Sequence, residues 1–423
     1  MKTKTKWWIV ISVLVAAGAV WWLCRAQTIT LDDGTKLKLV AVTYGKHHNF
    51  PSHATPARAR GRNQMFDTTN DTLVIWIQSE HKAKQWPNYQ MMVYDPANTA
   101  CVSSWSRMNT QIKNGVDIQG FMLNAFPRRG RKIDLRIAVW NNGGGMKLAR
   151  GRFVISNPAR GWFPQWTPEP LPNTQSDGDL DVTLTRLVYG VQGFYGSRNG
   201  INNDPMNRAM LAAFRTEQKG VVVTNWQPVR IETSDATGNQ VMNNGWSNTR
   251  EGDESVMTYQ WGLWPDESAW KLRVEMSRTS GFNDDELWTV ENIPVNSGSQ
   301  QDLWSYNNRR SNTNSAFAEA TVNGIHLKLF SAVQFTDENY GNGQKQCGLR
   351  IQVDPEPEGM QMRMTLAKLT DEQGRDLQSW GPNGGGGNYV FELQDVRDAK
   401  TLNITLVLQK SRFVEFTAKP TIQ

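Results

Sequence analysis

One pattern occurs three times along this chain of 423 residues. Each copy has a segment in which apolar and polar residues alternate, a short connection, a second alternating segment and a proline. The copies are residues 133–140 with 151–158, residues 270–277 with 286–294, and residues 402–409 with 412–420. Alternation with a period of two is typical of β-strands that bury one face. A chain that repeats this pattern is expected to fold into several β-sheet units.

The beginnings and the middles of the repeated blocks also match. Residues 36–45 resemble residues 181–190, and residues 324–331 form a weaker third copy. In the middle of each block a strand-like segment runs into a turn that begins with Asp, and these residues are Asp95, Asp235 and Asp371. Asp followed by Gly or Asn is common in the turns of β-hairpins. Three correspondences in the same order indicate tandem duplication.

The sequence therefore predicts an all-β protein of three tandem β-sandwich domains, since many short strands separated by turns are typical of that architecture. The blocks resemble immunoglobulin-like domains of the extracytoplasmic bacterial kind, although the Cys…Trp…Cys pattern of antibody domains is missing. The predicted divisions are an N-terminal segment over 1–26, a first block over 27–160, a proline-rich linker over 161–177, a second block over 178–300 and a third block over 301–423.

One short helix is predicted within the second block, near residues 205–216. Asp204 suits the N-cap position, and Pro205 suits the first helical position, where its missing N–H is not needed. The helix would be an insertion between the first strands of that block.

The N-terminal segment predicts a membrane anchor. Lys2, Lys4 and Lys6 precede 17 residues without a charge, which are bracketed by Trp pairs. Such a segment can cross a thin hydrocarbon core with its lysines on the cytoplasmic side, and Trp favours the membrane interfaces. The alternative is a signal peptide cleaved near residues 17–19. Both interpretations predict that the bulk of the chain lies outside the cytoplasm, in the periplasm or at the cell surface, and the first predicts a single-pass membrane protein.

Charge is strongly polarised along the chain. Residues 28–160 have 19 Lys and Arg against 8 Asp and Glu, a net charge of +11. Residues 161–305 have 10 against 19, a net charge of −9, and residues 306–423 have 13 of each. The basic residues of the first block include two groups, which are Arg58, Arg60 and Arg62, and then Arg128, Arg129, Arg131 and Lys132.

Three interpretations of this polarity stay open. The basic block could face anionic lipid or an anionic envelope polymer, because basic residues beside a membrane gain binding energy. It could instead dock on the acidic second block, within one chain or between copies. The third interpretation is a solvated surface without a partner. Nucleic acid is not expected as a partner, because no nucleic-acid-binding motif occurs.

Tryptophan is abundant, with 14 residues beyond the N-terminal segment. Seven of them lie beside Gly, Pro or Asn, in sequence typical of loops, and these are Trp86, Trp162, Trp166, Trp226, Trp246, Trp264 and Trp380. Aromatic side chains on loops can stack on sugar rings, which makes a glycan partner a hypothesis. The alternative is that they cap the sandwiches or pack the linkers, since Trp buries a large area and keeps a polar group.

Metal ligands and catalytic motifs are sparse. Asp177, Asp179 and Asp181 lie at alternate positions where the linker enters the second block. Their carboxylates could bind Ca²⁺, which prefers oxygen ligands, or they could simply solvate the start of a strand. The complete calcium-loop pattern does not occur.

His47, His48 and His53 match no standard zinc spacing, and an exposed loop is the expected setting for them. Cys101 and Cys347 fall in different predicted blocks, so neither block has an internal disulfide. Patterns for metalloproteases, serine hydrolases and phosphate-binding loops do not occur. The sequence therefore assigns no catalytic, cofactor-binding or metal-binding residue, and predicts a protein that is not an enzyme and needs no cofactor.

The leading functional hypothesis is a non-catalytic, membrane-anchored, extracytoplasmic interaction or scaffold protein built of repeated β-sandwich domains. Its partner would be a protein, an anionic polymer or a glycan, besides the membrane itself. The alternative is a protein that binds an envelope glycan or polyanion, or more remotely an enzyme that acts on polysaccharides. Such an enzyme usually needs two carboxyl groups about 5–10 Å apart in a cleft.

Overall fold

The computed structural model describes the following residues: 27–49, 65–80, 89–95, 97, 101–103, 106–113, 116–140, 146–159, 161–192, 208–244, 247–260, 262–299, 316–336, 345–357, 361–394, 396 and 398–423. Within these ranges the chain is all-β and its strands form several sheets. Within the same ranges there is no α-helix, and the one complete 3-10 turn is Asp284–Glu286. The predicted all-β class is confirmed.

In the described residues the first block has nine strands in two sheets. They are β1 Thr28–Thr30, β2 Lys36–Asn49, β3 Met65–Glu80, β4 Tyr89–Tyr94, β5 Cys101–Ser103, β6 Ser106–Lys113, β7 Val116–Leu123, β8 Lys132–Trp140 and β9 Met146–Ser156. One sheet has the order β1-β2-β3-β7-β6 and the other has the order β5-β4-β8-β9. Leu73 and Phe121 of the first sheet share a buried core with Leu135 and Phe153 of the second. Two sheets that pack over a common core form a β-sandwich-like unit.

The second block is built in a similar way. Its strands are β10 Asn173–Asp177, β11 Leu180–Gln192, β12 Arg208–Gln218, β13 Val221–Val222, β14 Trp226–Asp235, β15 Gln240–Asn244, β16 Ser247–Glu251, β17 Glu254–Gln260 and β18 Trp270–Arg278. One sheet has the order β10-β11-β12-β17-β16, with β13 beside β12. The other has the order β15-β14-β18 and ends on a strand from the C-terminus, β28 Arg412–Ala418. A last strand, β29 Thr421–Ile422, lies parallel to β11.

The third block has its own core. Its strands are β19 Leu287–Ser297, β20 Ala318–Val322, β21 Ile325–Leu329, β22 Ala332–Thr336, β23 Lys345–Asp354, β24 Met362–Asp371, β25 Gln378–Gly385, β26 Asn388–Gln394 and β27 Thr401–Lys410. The strand order is β20-β21-β23-β22-β19-β27-β24, with β26 beside β23 and β25 beside β26. Strand β19 joins the two halves, since it pairs with β27 first and then with β22. Leu349, Phe391 and Leu406 belong to this core, which is separate from that of the other two blocks.

The second and third blocks exchange strands. In the first block β8 pairs with its immediate successor β9. In the second block β18 pairs with β28, which places Trp270 opposite Ala418 and Met276 opposite Arg412. The immediate successor of β18, β19, pairs with β27 of the third block instead. The boundary after residue 300 stays a prediction. Strands pair across it in both directions, because β28 joins a sheet of the second block and β19 joins the sheet of the third.

The prediction of a helix near residues 205–216 is wrong. Residues Arg208–Gln218 form strand β12, and residues 204–207 lie outside the described residues. Strand β12 pairs with β11 on one edge and with β17 on the other, and Met210 and Phe214 are buried in the core. Hydrogen bonds along both edges and burial of apolar side chains outweigh the local helix-capping signal.

The predicted single-pass membrane location is not supported by the structure. Among the described residues, no helix is long and apolar enough to cross a membrane. Residues 1–26, on which the anchor prediction depends, lie outside the described residues. The prediction of a membrane-anchored, extracytoplasmic chain is therefore withdrawn.

Cys347 is a natural probe of the third block. Its free thiol is buried in the core, and burial raises its pKa to about 12. Because the thiolate is the reactive form, we expect native Cys347 to react with iodoacetamide at pH 8 roughly 1000-fold more slowly than in the unfolded chain. Peptide mass spectrometry measures labelling at Cys347 separately from Cys24 and Cys101. Equal labelling rates with and without denaturant would contradict the burial.

Candidate functional site

The basic turn noted in the sequence lies where the first and second blocks meet. The side chain of Asn157 holds this turn in shape, because its Nδ2 donates to the carbonyl oxygens of Pro127 at 3.1 Å, Arg128 at 2.8 Å and Gly130 at 2.6 Å. The Asn157 backbone also donates to the carbonyl of Arg131 at 3.0 Å. The shape of the turn is therefore maintained by hydrogen bonds within the first block.

Arg128 is buried in this junction. Its Nε donates to Asn239 Oδ1 of the second block at 3.0 Å. Within the first block, its Nη1 donates to the Tyr44 hydroxyl at 3.0 Å and its Nη2 to the Asp71 carbonyl at 2.9 Å. The guanidinium also lies over the Phe126 ring, with 4.8 Å from Cζ to the ring centroid. Burial lowers the pKa of Arg128, yet arginine keeps its proton in proteins. A charged group is thus held between the blocks by hydrogen bonds to both.

The turn after β14 forms the matching surface of the second block. Asp235 Oδ1 accepts from the backbone N–H of Thr237 at 2.8 Å and from that of Asn239 at 3.2 Å. Asp235 Oδ2 accepts from Asn239 Nδ2 at 2.9 Å, which leaves Asn239 Oδ1 directed at the first block. That oxygen accepts from the backbone N–H of Phe126 at 3.0 Å as well as from Arg128. The Asp-led turn predicted from the repeats therefore orients the residue that recognises the neighbouring block.

Arg129 ties three parts of the chain together. Its Nε donates to both carboxylate oxygens of Glu267, at 2.9 Å and 3.1 Å. Its Nη1 and Nη2 donate to the carbonyls of Phe163 and Pro164 in the linker, at 3.2 Å and 2.7 Å. Burial raises the pKa of Glu267 despite the opposing effect of Arg129. Arg128, Arg129, Asn239 and Glu267 are called the first junction below.

The proline-rich linker lies against the second block. The backbone N–H of Trp166 donates to Ser268 Oγ at 3.1 Å, and that of Glu169 donates to the carbonyl of Thr417 in β28 at 2.7 Å. Lys271 Nζ lies 5.6 Å from the centroid of the Trp166 ring. These contacts fix the linker on the second block, and the hydrogen bonds from Arg129 to Phe163 and Pro164 connect it to the first.

Some of the opposite charges of the first and second blocks are therefore paired within the chain. Arg129 of the basic block pairs with Glu267 of the acidic block, as the docking interpretation expects. Arg131 and Lys132 of the same turn are exposed. Arg58, Arg60 and Arg62 lie outside the described residues, so the structure does not choose among the three interpretations for them.

A second junction lies where β27 passes into β28. Glu275 of β18 is buried and accepts a hydrogen bond from Ser411 Oγ at 2.7 Å. It also pairs with Arg230 of its own block at 2.8 Å and with Arg363 of the third block at 3.7 Å. Nearby, Gln409 Nε2 donates to the carbonyl of Arg278 at 2.9 Å. One carboxylate therefore fixes the point at which the chain crosses from the third block back to the second.

Two of the three alternating aspartates, Asp177 and Asp179, hold strand β28. The Phe413 backbone N–H donates to Asp177 Oδ2 at 3.1 Å, and Arg412 pairs with Asp179 at 2.8 Å. Hydrogen bonds from Gln218 and Arg412 lower the pKa of Asp179. Asp181 Oδ1 accepts from Ser176 Oγ at 2.5 Å. Protein donors thus occupy the carboxylates proposed for Ca²⁺, and among the described residues no group of three acidic, His or Cys side chains could hold a metal ion.

The histidine loop is divided between surface and interior. His47 Nδ1 lies 2.8 Å from Asp67 Oδ1 at the surface. His48 is buried, its Nδ1 lies 3.0 Å from Thr43 Oγ1, and burial lowers its pKa. Both belong to strand β2 and not to the exposed loop expected from the sequence, and His53 lies outside the described residues.

The tryptophans separate into buried and exposed groups. Trp226 and Trp264, which resemble loop residues in sequence, are buried. Trp166 is half-buried, whereas the side chains of Trp162 and Trp380 are 87% and 62% exposed. Trp86 and Trp246 lie outside the described residues. Two of the seven candidates are therefore available to a ligand in the described part of the chain.

Sequence reasoning missed Asn239, Glu267 and Glu275. The repeats offer a clue to Asn239, which stands four positions after Asp235. Arg375 stands at the same distance after Asp371 in the third block. Asp371 Oδ2 accepts from Arg375 Nε at 2.9 Å, so the third block uses the same position of the turn to meet its aspartate. Glu267 and Glu275 had no such signal, since their partners are distant in the sequence.

No protein-family model matches this chain, and no curated protein matches it. A crystal structure of a conserved domain protein from Bacillus anthracis is 10% identical in sequence, over 63% of this chain and 80% of that chain, with a TM-score of 0.22. A similarity at that score supports no inference about fold or function.

Proposed function

We propose that this protein is a non-catalytic interaction or scaffold protein whose three immunoglobulin-like β-sandwich domains are held in fixed relative positions. The first junction carries the proposal, because Arg128 is buried there with hydrogen bonds to both blocks. Moving the blocks apart would expose or leave unpaired several buried polar groups, which is costly. The second junction supports a similar restraint between the second and third blocks.

A fixed array of domains can present surfaces from several blocks at constant spacing. A partner that contacts two blocks at once then loses less conformational freedom on binding than it would with flexibly linked domains. The carboxylates of Asp179, Glu267 and Glu275 are used to maintain this arrangement. Their structural role is the reason for proposing an interaction function instead of a catalytic one.

The variant Arg129→Ala tests this function. It removes the contacts to Glu267 and the linker while leaving the buried Arg128 in place, so the blocks should stay folded but move more freely. We expect a broader distance distribution between spin labels at the exposed residues Lys38 and Asp253, and at least a fivefold loss of partners captured from an extract of the producing cells. Arg131→Ala in the same turn is the matched control, since the Arg131 side chain is exposed. Unchanged capture despite a broadened distance, or turnover of a substrate by the purified protein, would contradict the proposal.

Glycan binding is a second candidate function. It is favoured by the exposed Trp380, which belongs to a β-hairpin at the edge of the third block. The hairpin lies in a different part of the chain from the residues of both junctions, so the two functions are compatible.

A further inference from the structure

The hairpin of β25 and β26 has one buried face and one face that is open along part of its length. On β26, Tyr389, Phe391 and Leu393 point into the core of the third block. Glu392 and Gln394 are exposed on the opposite face, and Val390, nearer the turn on that face, is buried against Phe335. In the described residues β25 pairs with β26 alone, so this open face lies at the edge of the sheet.

Trp380 lies on this open face. It is directly opposite Glu392 in the strand register, and Gln378 is directly opposite Gln394. A register shift between Trp380 and Asn383 then brings Asn383 Nδ2 to 3.3 Å from Glu392 Oε1. The five side chains of this surface, called the Trp380 face, are Gln378, Trp380, Asn383, Glu392 and Gln394.

Gly381 makes the register shift possible. Its φ is +115°, a conformation that side chains disfavour, and a Cβ there would lie 3.0 Å from the Val390 carbonyl oxygen. The bulge therefore lets the backbone of β25 pass close to β26. Bulges at sheet edges commonly redirect side chains in this way.

The composition of the Trp380 face indicates the chemistry of its ligand. An exposed indole offers a flat apolar surface, and three amide side chains beside it both donate and accept hydrogen bonds. Glu392 is the one formal charge among the five residues. The neighbouring basic residue, Arg350 of β23, is opposite Val390 in the register and lies over the Phe330 ring, with 3.9 Å from Cζ to the ring centroid. A neutral pyranose ring suits both the indole and the amide side chains. One side of the ring presents C–H groups to the indole, and its rim carries hydroxyl groups that can bond to the amides.

Trp162 shows that exposure alone is not sufficient. It is more exposed than Trp380, but it lies in the linker between Gly161 and Phe163, away from any strand. Its immediate neighbours in sequence have no amide or carboxylate side chain. Of the two exposed tryptophans in the described part of the chain, Trp380 is the one that a strand register places opposite a carboxylate and beside amide side chains.

We infer that the Trp380 face binds a neutral polysaccharide, with one sugar ring stacked on Trp380 and its hydroxyl groups bonded to Gln378, Gln394 and the Asn383–Glu392 pair. This inference rests on the second candidate function and is independent of the scaffold function. Because the one formal charge of the five residues is the carboxylate of Glu392, the Trp380 face favours a neutral polymer over the anionic polymer that the charge of the first block suggests as a partner.

Affinity electrophoresis of the full chain tests the inference. The gels contain one of four neutral probes, which are laminarin, hydroxyethylcellulose, galactomannan and dextran, or the anionic probe dextran sulfate. We expect at least one neutral probe to retard the wild-type protein, and Trp380→Ala to weaken that retardation at least tenfold. Trp162→Ala is the matched control and should bind like the wild type. Trp380→Tyr should recover part of the binding, since an aromatic surface is restored, and Gln378→Ala with Gln394→Ala should weaken it severalfold.

Each outcome decides a separate question. Retardation by a neutral probe that Trp380→Ala leaves unchanged would overturn this site but leave glycan binding in place. Retardation by dextran sulfate alone, lost at high salt, would overturn the neutral ligand in favour of the basic first block. No retardation by any probe would overturn both the site and the second candidate function, while the Arg129→Ala experiment would still decide the scaffold function.

Discussion

A chain shortened by residues 412–423 is expected to lose the fold of its second block and to keep the fold of its third. Strand β28 supplies one edge of the second block's sheet, and Val414, Phe416 and Ala418 are buried in the core of that block. Without them β18 would have an open edge beside a cavity. The core of the third block contains no residue of the described chain beyond Leu408, so it should remain intact.

Two readouts separate the blocks in this experiment. Trp226, Trp264 and Trp270 are buried in the second block, and their fluorescence should shift to longer wavelength in the shortened chain. Cys347 in the third block should stay protected from iodoacetamide. The opposite result, with Cys347 exposed and the tryptophans still buried, would contradict the strand exchange. That result is what the order of residues in the sequence suggests, because residues 412–420 complete the third repeat.

Point variants of β28 give the same test in the full-length protein. Phe416→Ala removes a fully buried ring from the second block and is expected to lower the free energy of unfolding by about 3–5 kcal/mol. Glu415→Ala on the same strand is the control, because Glu415 is exposed and its replacement should change stability by less than about 0.5 kcal/mol. Urea denaturation followed by tryptophan fluorescence measures both variants. Equal stability of the two would show that β28 does not pack as described.

Arg128→Ala is expected to produce the second largest effect, a loss of about 3 kcal/mol in the free energy of unfolding. The truncation leaves the Asp71 carbonyl and the Tyr44 hydroxyl without their charged donor and removes one donor to Asn239. It also leaves a cavity beside Phe126. Buried acceptors that lose their donor cost more than the mean value of a hydrogen bond.

Denaturation curves and small-angle scattering together measure this effect. We expect Arg128→Ala to unfold at lower urea concentration and the native protein to have a larger radius of gyration, since the first and second blocks lose their main polar contact. Arg131→Ala should match the wild type in both measurements, because that side chain is exposed in the same turn. A stable Arg128→Ala protein with unchanged dimensions would mean that the first junction does not restrain the blocks.

The sequence alone correctly predicted the strands of the repeated pattern. Residues 133–140, 270–277, 402–409 and 412–420 all lie largely within strands, namely β8, β18, β27 and β28. Alternation of apolar and polar side chains is a local property, and it marks a strand wherever one face is buried. The Asp-led turns were predictable for a similar reason, because Asp235 and Asp371 bond to backbone N–H groups two and four residues ahead.

Local signals failed where distant residues decided the outcome. The helix predicted from Asp204 and Pro205 rested on a few capping interactions, whereas strand β12 forms hydrogen bonds to two neighbouring strands. The candidate site was predictable only in its basic turn. Asn239 and Glu267, which meet Arg128 and Arg129, are more than 100 residues away in the sequence.

The sequence determined that this chain is built of repeated, half-buried strands with a basic first block and an acidic second block. The tertiary structure decided which strands pair. The second segments of repeats two and three have the same alternating pattern, so either segment could complete the edge of either sheet. Specific contacts at distant positions settle that choice, among them Arg412 with Asp179 and Ser411 with Glu275. Pairing between strands depends on side-chain complementarity across the whole fold, and a period of two contains no information about the partner.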